Sequence, residues 1–384
     1  MKRLKFKKKK IIIFTTSRAD FYLLSLLIKK ISNHKKLNLK LVATGNHFEK
    51  KKGDTYKEIL KKKIKINYKV RYKEENGSKI ELIHQISKAF KSNFKILNKS
   101  KPDLILLLGD RYELIPIAYT SLLLNIPIAH LQGGEVTEGA FDDSIRHSLT
   151  KLSNLHFACN EIYRKRIIKM GENPKYVIDV GGIGAELISN QKFLSKKELE
   201  KKLNINLNKK IILVCLHPET KRRFVNYSTL FKALDKLGEK YLIILTSPNS
   251  DPGSIRIQSQ INNFKKKNNF FYFSNLGSIN YHSILRISEF LIGNSSSGLL
   301  EAPLLHIPTI NLGNRQSGRL LEDSVYNCKF DEKEILKTIV RVIKRKKIKT
   351  KIKFHKNKKA SDKIINKILR VNLDEIKIKK FYEV

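Results

Sequence analysis

The sequence predicts an α/β protein of two doubly wound, Rossmann-type domains, each a parallel sheet with helices on both faces. Three observations carry that expectation. Short continuous apolar runs, such as IIIF at 11–14 and LILLL at 104–108, alternate with stretches whose apolar residues recur at helical spacing. Strands buried on both faces read this way, whereas a sheet with one wet face alternates apolar and polar residues. The length of 384 residues exceeds what one ordinary core organises and suits two domains. Finally, the alternation restarts after a helical stretch at 192–203, where Ser195 and Glu198 have capping-box spacing.

Element by element, a strand over 10–16 ends in the polar turn Thr16-Ser17, and the apolar spacing of 19–32 reads as a helix. Strands are expected over 39–44, 64–70, 103–108, 126–129, 155–158 and 176–180, with helices over 79–97, 112–124, 144–152 and 161–170. The turn Gly181-Gly182-Ile183-Gly184 closes that half. The second half reads as strands over 211–216, 241–246, 270–273, 290–292 and 309–312. Helices fall between them at 228–237, 254–265, 282–287 and 298–304, and a further helix follows at 332–345. A charge run occupies 346–359, and the amphipathic stretch 360–369 is placed against the first domain. The resulting division is a first domain over 1–190, a second over 191–355 and a returning C-terminal helix within 356–384. Two such sheets present their carboxyl ends to a shared cleft, where an open α/β fold takes its ligand.

Composition excludes several classes. The three cysteines, Cys159, Cys215 and Cys328, are far apart and lack C-x-x-C spacing, so neither a disulfide framework nor a zinc ribbon is expected. No run of eighteen apolar residues exists, and the basic N-terminus is followed by too short an apolar stretch for a signal peptide, which points to the cytoplasm. Lys and Arg number 78 against 35 Asp and Glu, a net charge of +43. The excess is spread along the chain and is not interleaved with aromatics in a stacking pattern, so nucleic acid and membrane partners are not expected.

Polar residues cluster where strands end. Arg18 follows the first strand and opens a helix, where a guanidinium and a helix N-terminus both suit a phosphate. Asp110 directly follows the strand LILLL, as a helix cap or as a proton carrier. The densest stretch runs from His130 through Gln132, Gly133, Gly134 and Glu135 to Asp142, Asp143, Arg146 and His147. One N-cap there needs one such residue, not this many, which points to a site. His217 ends another strand and is suited to carry a proton or to bond a phosphate. The turn Gly293-Asn294-Ser295-Ser296-Ser297-Gly298 joins a strand to a helix, and its N–H groups and hydroxyls suit an anion; it lacks the Gly-Lys-Ser/Thr ending of a P-loop. Arg315 and Arg319 supply cations farther on. Asp142-Asp143 lacks the flanking ligands of a Mg²⁺ site, and no metal is expected.

At these residues the chain resembles the hydrolysing UDP-N-acetylglucosamine 2-epimerases of the sialic-acid type. The carrying strings are LLLGDRYE (106–113), NIPIAHLQGGEVTEGAFDDSIRHSLTKLS (125–153), VIDVGGIGAE (177–186) and IGNSSSGLLEAPLLHIPTINLGNRQSGR (292–319). The resemblance implies a GT-B arrangement around a nucleotide-sugar cleft, a homodimer or homotetramer, and a reaction needing neither cofactor nor metal. It places Arg18, His217, Ser295, Ser296 and Arg315 on the phosphate side and Glu301 on the ribose. Asp110, Asp142 or Asp143 and Glu135 are left for the chemistry, and Gln132, Arg146, Gly182 and Asn249 complete the expected substrate contacts. Some relatives carry a Glu where this chain has Gln132, and Gln cannot carry a proton.

The implied reaction removes UDP from C1 of UDP-N-acetylglucosamine together with the C2 proton, then adds water to the resulting 2-acetamidoglucal to give N-acetylmannosamine. Such a product feeds nonulosonic acid synthesis. The sister reading is the same chemistry on UDP-2,4-diacetamido-2,4,6-trideoxyglucose, a legionaminic-acid precursor. A GT-B glycosyltransferase is a third reading, separated by its need for an acceptor.

Overall fold

The computed structural model describes residues 8–48, 54–71, 79–138, 141–219, 225–248, 253–264, 267–344 and 351–384. Contacts divide the chain into two units: Met1–Glu135, Asp142–Leu187 and Lys356–Val384 form the first, and Val136–Phe141 with Ile188–His355 the second. The short piece Val136–Phe141, inside the stretch assigned on sequence to the first domain, therefore clusters with the second; Glu138 N donates to Ser317 O at 2.9 Å.

The first unit contains seven parallel strands: β1 (Lys9–Thr15), β2 (Leu37–Ala43), β3 (Tyr68–Lys69), β4 (Leu104–Leu108), β5 (Ile128–Leu131), β6 (Leu155–Ala158) and β7 (Val177–Asp179). Their order is β3-β2-β1-β4-β5-β6-β7, with Ile13 of β1 paired to Leu41 of β2 and Leu106 of β4. Both faces are buried. Ile11, Ile13, Leu104 and Leu106 pack with Leu24, Leu27 and Ile28 of the helix Arg18–Ser32 and with Ile364 and Ile368 of the C-terminal helix Ala360–Arg370. Ile12, Phe14, Ile105 and Leu107 pack on the other face with Ala89 and Leu97 of the helix Lys79–Ser100 and with Ile117 of Leu114–Leu123. Burying each such side chain contributes about 1.5–3 kcal/mol, several times any single-residue helix propensity, so tertiary burial decides the strand. Lys9 Nζ donates to the carbonyls of Ile368, Leu369 and Val371 at 2.9–3.1 Å, capping the end of the C-terminal helix.

The second unit contains six parallel strands: β8 (Lys210–Cys215), β9 (Tyr241–Thr246), β10 (Phe270–Phe273), β11 (Ser288–Gly293), β12 (Thr309–Leu312) and β13 (Val325–Cys328). Their order is β10-β9-β8-β11-β12-β13. Ile212 and Val214 face one core, and Ile211, Leu213 and Cys215 the other. In each sheet the order reverses once, between β1 and β4 and between β8 and β11. These are the switch points at which an open α/β sheet leaves room for a ligand beyond its carboxyl ends.

The two parallel doubly wound sheets are the fold class read from the sequence, with local differences. Strand β13 was not foreseen: it is an edge strand, Val325 and Tyr326 are only partly buried and Asn327 is exposed, so it lacks a continuous apolar run. The helices Ile183–Ser189 and Leu373–Lys377 were also not foreseen. The strand expected over 64–70 shrinks to β3, at the other edge of the sheet. The helix expected over 298–304 is a single turn, Ser297–Leu300, followed by the 3-10 turn Pro303–Leu305, because Pro303 has no N–H to continue the ladder. Among the described residues no helix is long and apolar enough to cross a membrane.

Candidate active site

In the first unit the site grows from the ends of β4 and β5. Strand β4 runs into Gly109, whose φ of +82° turns the chain and puts Asp110 at the sheet edge. Strand β5 runs into Gln132, at φ +63°, then Gly133, Gly134 and Glu135. A Cβ on Gly134, whose φ is +78°, would lie 2.5 Å from the Tyr163 carbonyl, so the turn accepts only glycine. His130 ties the two strand ends together. Its Nε2 donates to Gly109 O at 2.7 Å and its Nδ1 faces Thr150 Oγ1 at 3.2 Å. Burial pushes its pKa down to about 4, so the imidazole is neutral.

The helix Asp142–Leu152 then brings Arg146 beneath this edge, 1% exposed. Its guanidinium pairs with Asp110, reaches Asp143 Oδ1 at 3.3 Å and donates to the Glu135 carbonyl at 3.0 Å. His147 Nε2 stands 3.8 Å from Asp143 Oδ2. Arg146, expected on the substrate, is thus engaged in assembling the carboxylates. The Glu135 side chain is 3% exposed, with Oε1 3.6 Å from Cys159 Sγ. Asp110, Glu135, Asp143 and Arg146 are therefore one cluster, with Asp142 opening the same helix and Gln132 on the adjoining turn.

Arg18 opens the helix after β1, beside the same switch point. The turn's own N–H groups are taken: Asp20 accepts from Thr16 N at 2.7 Å and Ser17 N at 2.9 Å. Asp20 thus occupies the N–H groups of Thr16 and Ser17 that the turn would otherwise present to an anion. Gly182 lies beyond the edge strand β7 and gives its N–H to Lys356 O at 3.0 Å. Asn249 lies outside the described residues.

In the second unit the ends of β8 and β11 meet. Gly293, at φ +145°, sits so close that a Cβ would strike the Cys215 carbonyl. Asn294, fully buried, locks the two ends: its Oδ1 accepts from His217 N at 2.7 Å and its Nδ2 donates to His217 O at 2.9 Å. The Asn294 carbonyl accepts from Gln316 Nε2 at 2.9 Å and from Arg315 at 3.4 Å, which brings Arg315 to the hydroxyl-rich turn. Glu219, 5% exposed, accepts from Asn314 N at 2.8 Å and fixes the loop that carries Arg315. Burial, aided by Arg315, pushes the His217 pKa down to about 3.

Ser295 Oγ accepts from Ser297 N at 3.3 Å, and Ser296 stands at the N-cap position without a side-chain cap bond. Asn294, Ser297 and Gly298 give their N–H groups to Cys215 O, Ser295 Oγ and Ser295 O, so Ser295 and Ser296, rather than the whole turn or a long helix dipole, are what this segment brings to an anion. Glu301 is held by Ser297 Oγ at 2.5 Å and His282 Nε2 at 3.3 Å. The sequence places Asn294 in the anion-suited turn and Glu219 after His217 but gives neither a role, and His282 is not singled out. Their partners lie up to 95 residues away, so only pairing across the sheet exposes them. Among the described residues no group of three His, Cys, Asp or Glu side chains is placed to hold a metal ion.

The arrangement defines a class: GT-B-like α/β proteins with two parallel sheets. A crystal structure of UDP-GlcNAc 2-epimerase from Neisseria meningitidis bound to UDP-GlcNAc matches with a TM-score of 0.81 over 94% of this chain and 100% of that one, at 17% identity. At sequence level, the UDP-N-acetylglucosamine 2-epimerase family profile matches residues 29–369, and the chain belongs to that family. It is 42% identical to the GDP/UDP-N,N'-diacetylbacillosamine 2-epimerase (hydrolyzing) of Campylobacter jejuni, covering 85% of both chains. It is 31% identical to the UDP-N-acetylglucosamine 2-epimerase of Neisseria meningitidis serogroup B, covering 86% of both.

Proposed function

We propose that this UDP-sugar 2-epimerase is a hydrolysing one: it releases UDP from a UDP-linked 2-acetamido sugar and yields the free sugar inverted at C2. The observation that carries the reading is the carboxylate cluster assembled on buried Arg146 at the strand ends of a chain belonging to this family. The C2–H of such a sugar is not next to a carbonyl carbon and is a poor acid. Departure of UDP makes it removable. The C1–O bond breaks with its electron pair leaving on UDP, a carboxylate takes the C2 proton, and C1=C2 forms. Water then returns OH to C1 and a proton to the opposite face of C2. Nothing is oxidised overall.

In this reading Asp110, Glu135, Asp142 and Asp143 supply the base and the acid. Gln132, a neutral amide, orients the sugar. Ser295, Ser296, Arg315 and Arg18 stabilise the charge that builds on the departing diphosphate. The low pKa of His217 supports a neutral hydrogen-bond donor to phosphate rather than a proton carrier. Glu301 takes the ribose, and Gly182 and Asn249 remain proposed substrate contacts. We place the enzyme in the cytoplasm as a homo-oligomer whose product feeds nonulosonic acid synthesis.

The sugar itself has two readings. Motifs that describe the nucleotide end and C2 support UDP-N-acetylglucosamine. The 42% identity to a relative named for diacetylbacillosamine, against 31% to one named for N-acetylglucosamine, supports a 2,4-diacetamido-2,4,6-trideoxy sugar, and we favour it. The test offers UDP-N-acetylglucosamine and the UDP- and GDP-linked diacetamido sugars separately in D₂O, without acceptor. Nucleotide release and deuterium at C2 of the product, read by NMR, are the expected results. Protium retained at C2, or release only after an acceptor is added, sinks the proposal.

A further inference from the structure

Glu301 is held from behind by a residue that no motif singled out. His282, on the helix Gly277–Ile287, is 2% exposed, and its Nε2 lies 3.3 Å from Glu301 Oε2. Its other ring nitrogen, Nδ1, is 2.7 Å from the Ser278 carbonyl oxygen. A carbonyl oxygen only accepts, so Nδ1 carries a hydrogen. The Nδ1 bond to its own helix thus fixes the ring, and the ring holds Nε2 against Glu301 Oε2.

The rest of the pocket agrees in direction. Ser297 Oγ donates its hydrogen to the same Oε2 at 2.5 Å, and so accepts from the Tyr281 hydroxyl at 2.7 Å. Tyr281 in turn faces Cys215 Sγ at 3.3 Å, at the end of β8. This file of donors points toward Glu301 and favours its charged form. Burial raises the pKa of Glu301, but the charge of His282 and the hydrogen bonds from His282 and Ser297 outweigh that and leave the carboxyl below its ordinary range. Both side-chain contacts fall on Oε2, and among the described residues Oε1 is the oxygen left to a ligand.

We propose that His282 is the positioning residue for nucleotide recognition: its buried ring, 3.3 Å from Oε2, fixes Glu301 as an oriented acceptor for the ribose 2′- and 3′-hydroxyls. The inference rests on the nucleotide reading of Glu301 above and deepens it by naming what makes that carboxylate selective for a diol. His282, buried behind Glu301, is a positioning residue rather than a catalytic one, so its loss is expected to alter ribose discrimination.

The test titrates the full chain with UDP and with 2′,3′-dideoxy-UDP by calorimetry, for the wild type, His282→Gln, His282→Met and Glu301→Gln. Hydrogen bonds to a charged acceptor contribute about ten- to a hundredfold in affinity, and the wild type is expected to prefer UDP by about that factor. In all three variants the preference is expected to fall to about threefold or less, with affinity for the dideoxy nucleotide nearly unchanged. Two different replacements at 282, each checked by circular dichroism, guard against one that does not fold. If folded His282 variants weaken both nucleotides alike and keep the ratio, His282 is merely structural and the inference is overturned. A wild type that binds both nucleotides without preference overturns it as well. A wild type that binds neither overturns the nucleotide reading itself, which separates that failure from failure of the His282 assignment.

Discussion

Arg146 is the residue on which the first unit's carboxylates depend, because a buried guanidinium is tolerable only while its partners hold it. Asp110→Asn removes a charge that pairs with it, so that variant is expected to lose about 3–5 kcal/mol of stability as well as activity. Asp143, 3.3 Å from the guanidinium, shares the same structural duty. Asp142 is the more informative target. Asp142→Asn is expected to lower kcat by about 10²–10⁴ with the melting temperature little changed, if it is the proton carrier. Nucleotide release and thermal melts on Asp110→Asn, Asp142→Asn and Asp143→Asn separate the roles. Asp142→Asn with full activity would move the chemistry onto Asp110, Glu135 or Asp143.

At the scale of elements, the ends of strands carry the design. Gly293 closes β11 against the Cys215 carbonyl at the end of β8, at φ +145°. Gly293→Ala adds a clash to a backbone conformation that side chains avoid, and is expected to cost more than about 2 kcal/mol. Because Asn294 follows directly and holds His217 and the loop of Arg315, UDP affinity is expected to fall by more than stability alone explains. Urea melts and UDP titration on the variant check both; a variant that melts and binds like the wild type contradicts the strand-end account. The turn itself was legible as Gly-Asn-Ser-Ser-Ser-Gly after an apolar run. The reach of the following helix was not, since the stop comes from Pro303 and the chain's return into β12.

Across the whole molecule, buried histidines set the response to acid. His47, His130 and His217 have pKa values pushed down by burial to about 4, 4 and 3 from an ordinary 6.5. Each is neutral when folded and takes a proton when unfolded, so folding is favoured above about 6.5 and stability is lost as pH falls toward 4. The slope is ~1.4 kcal/mol per pH unit for each group. Urea denaturation from pH 7.5 to 5 is expected to show this decline, and a variant lacking one of the three, such as His130→Asn, a shallower one. A flat profile for the wild type would contradict the buried, neutral state.

What the sequence by itself determined is the parallel α/β class, the strands buried on both faces and the stretches where polar residues gather after them. Those follow from local chemistry: a run such as Ile11–Phe14 is apolar on both faces wherever it lies, and Ser195 with Glu198 caps a helix within four residues. Only the tertiary structure decided which charges neutralise one another. Arg146 beneath Asp110, Asn294 across His217 and His282 behind Glu301 are pairings over 36, 77 and 19 positions. No spacing rule spans them. Sheet order brings such partners within hydrogen-bond reach, and the cost of leaving a buried polar group unmatched keeps them there.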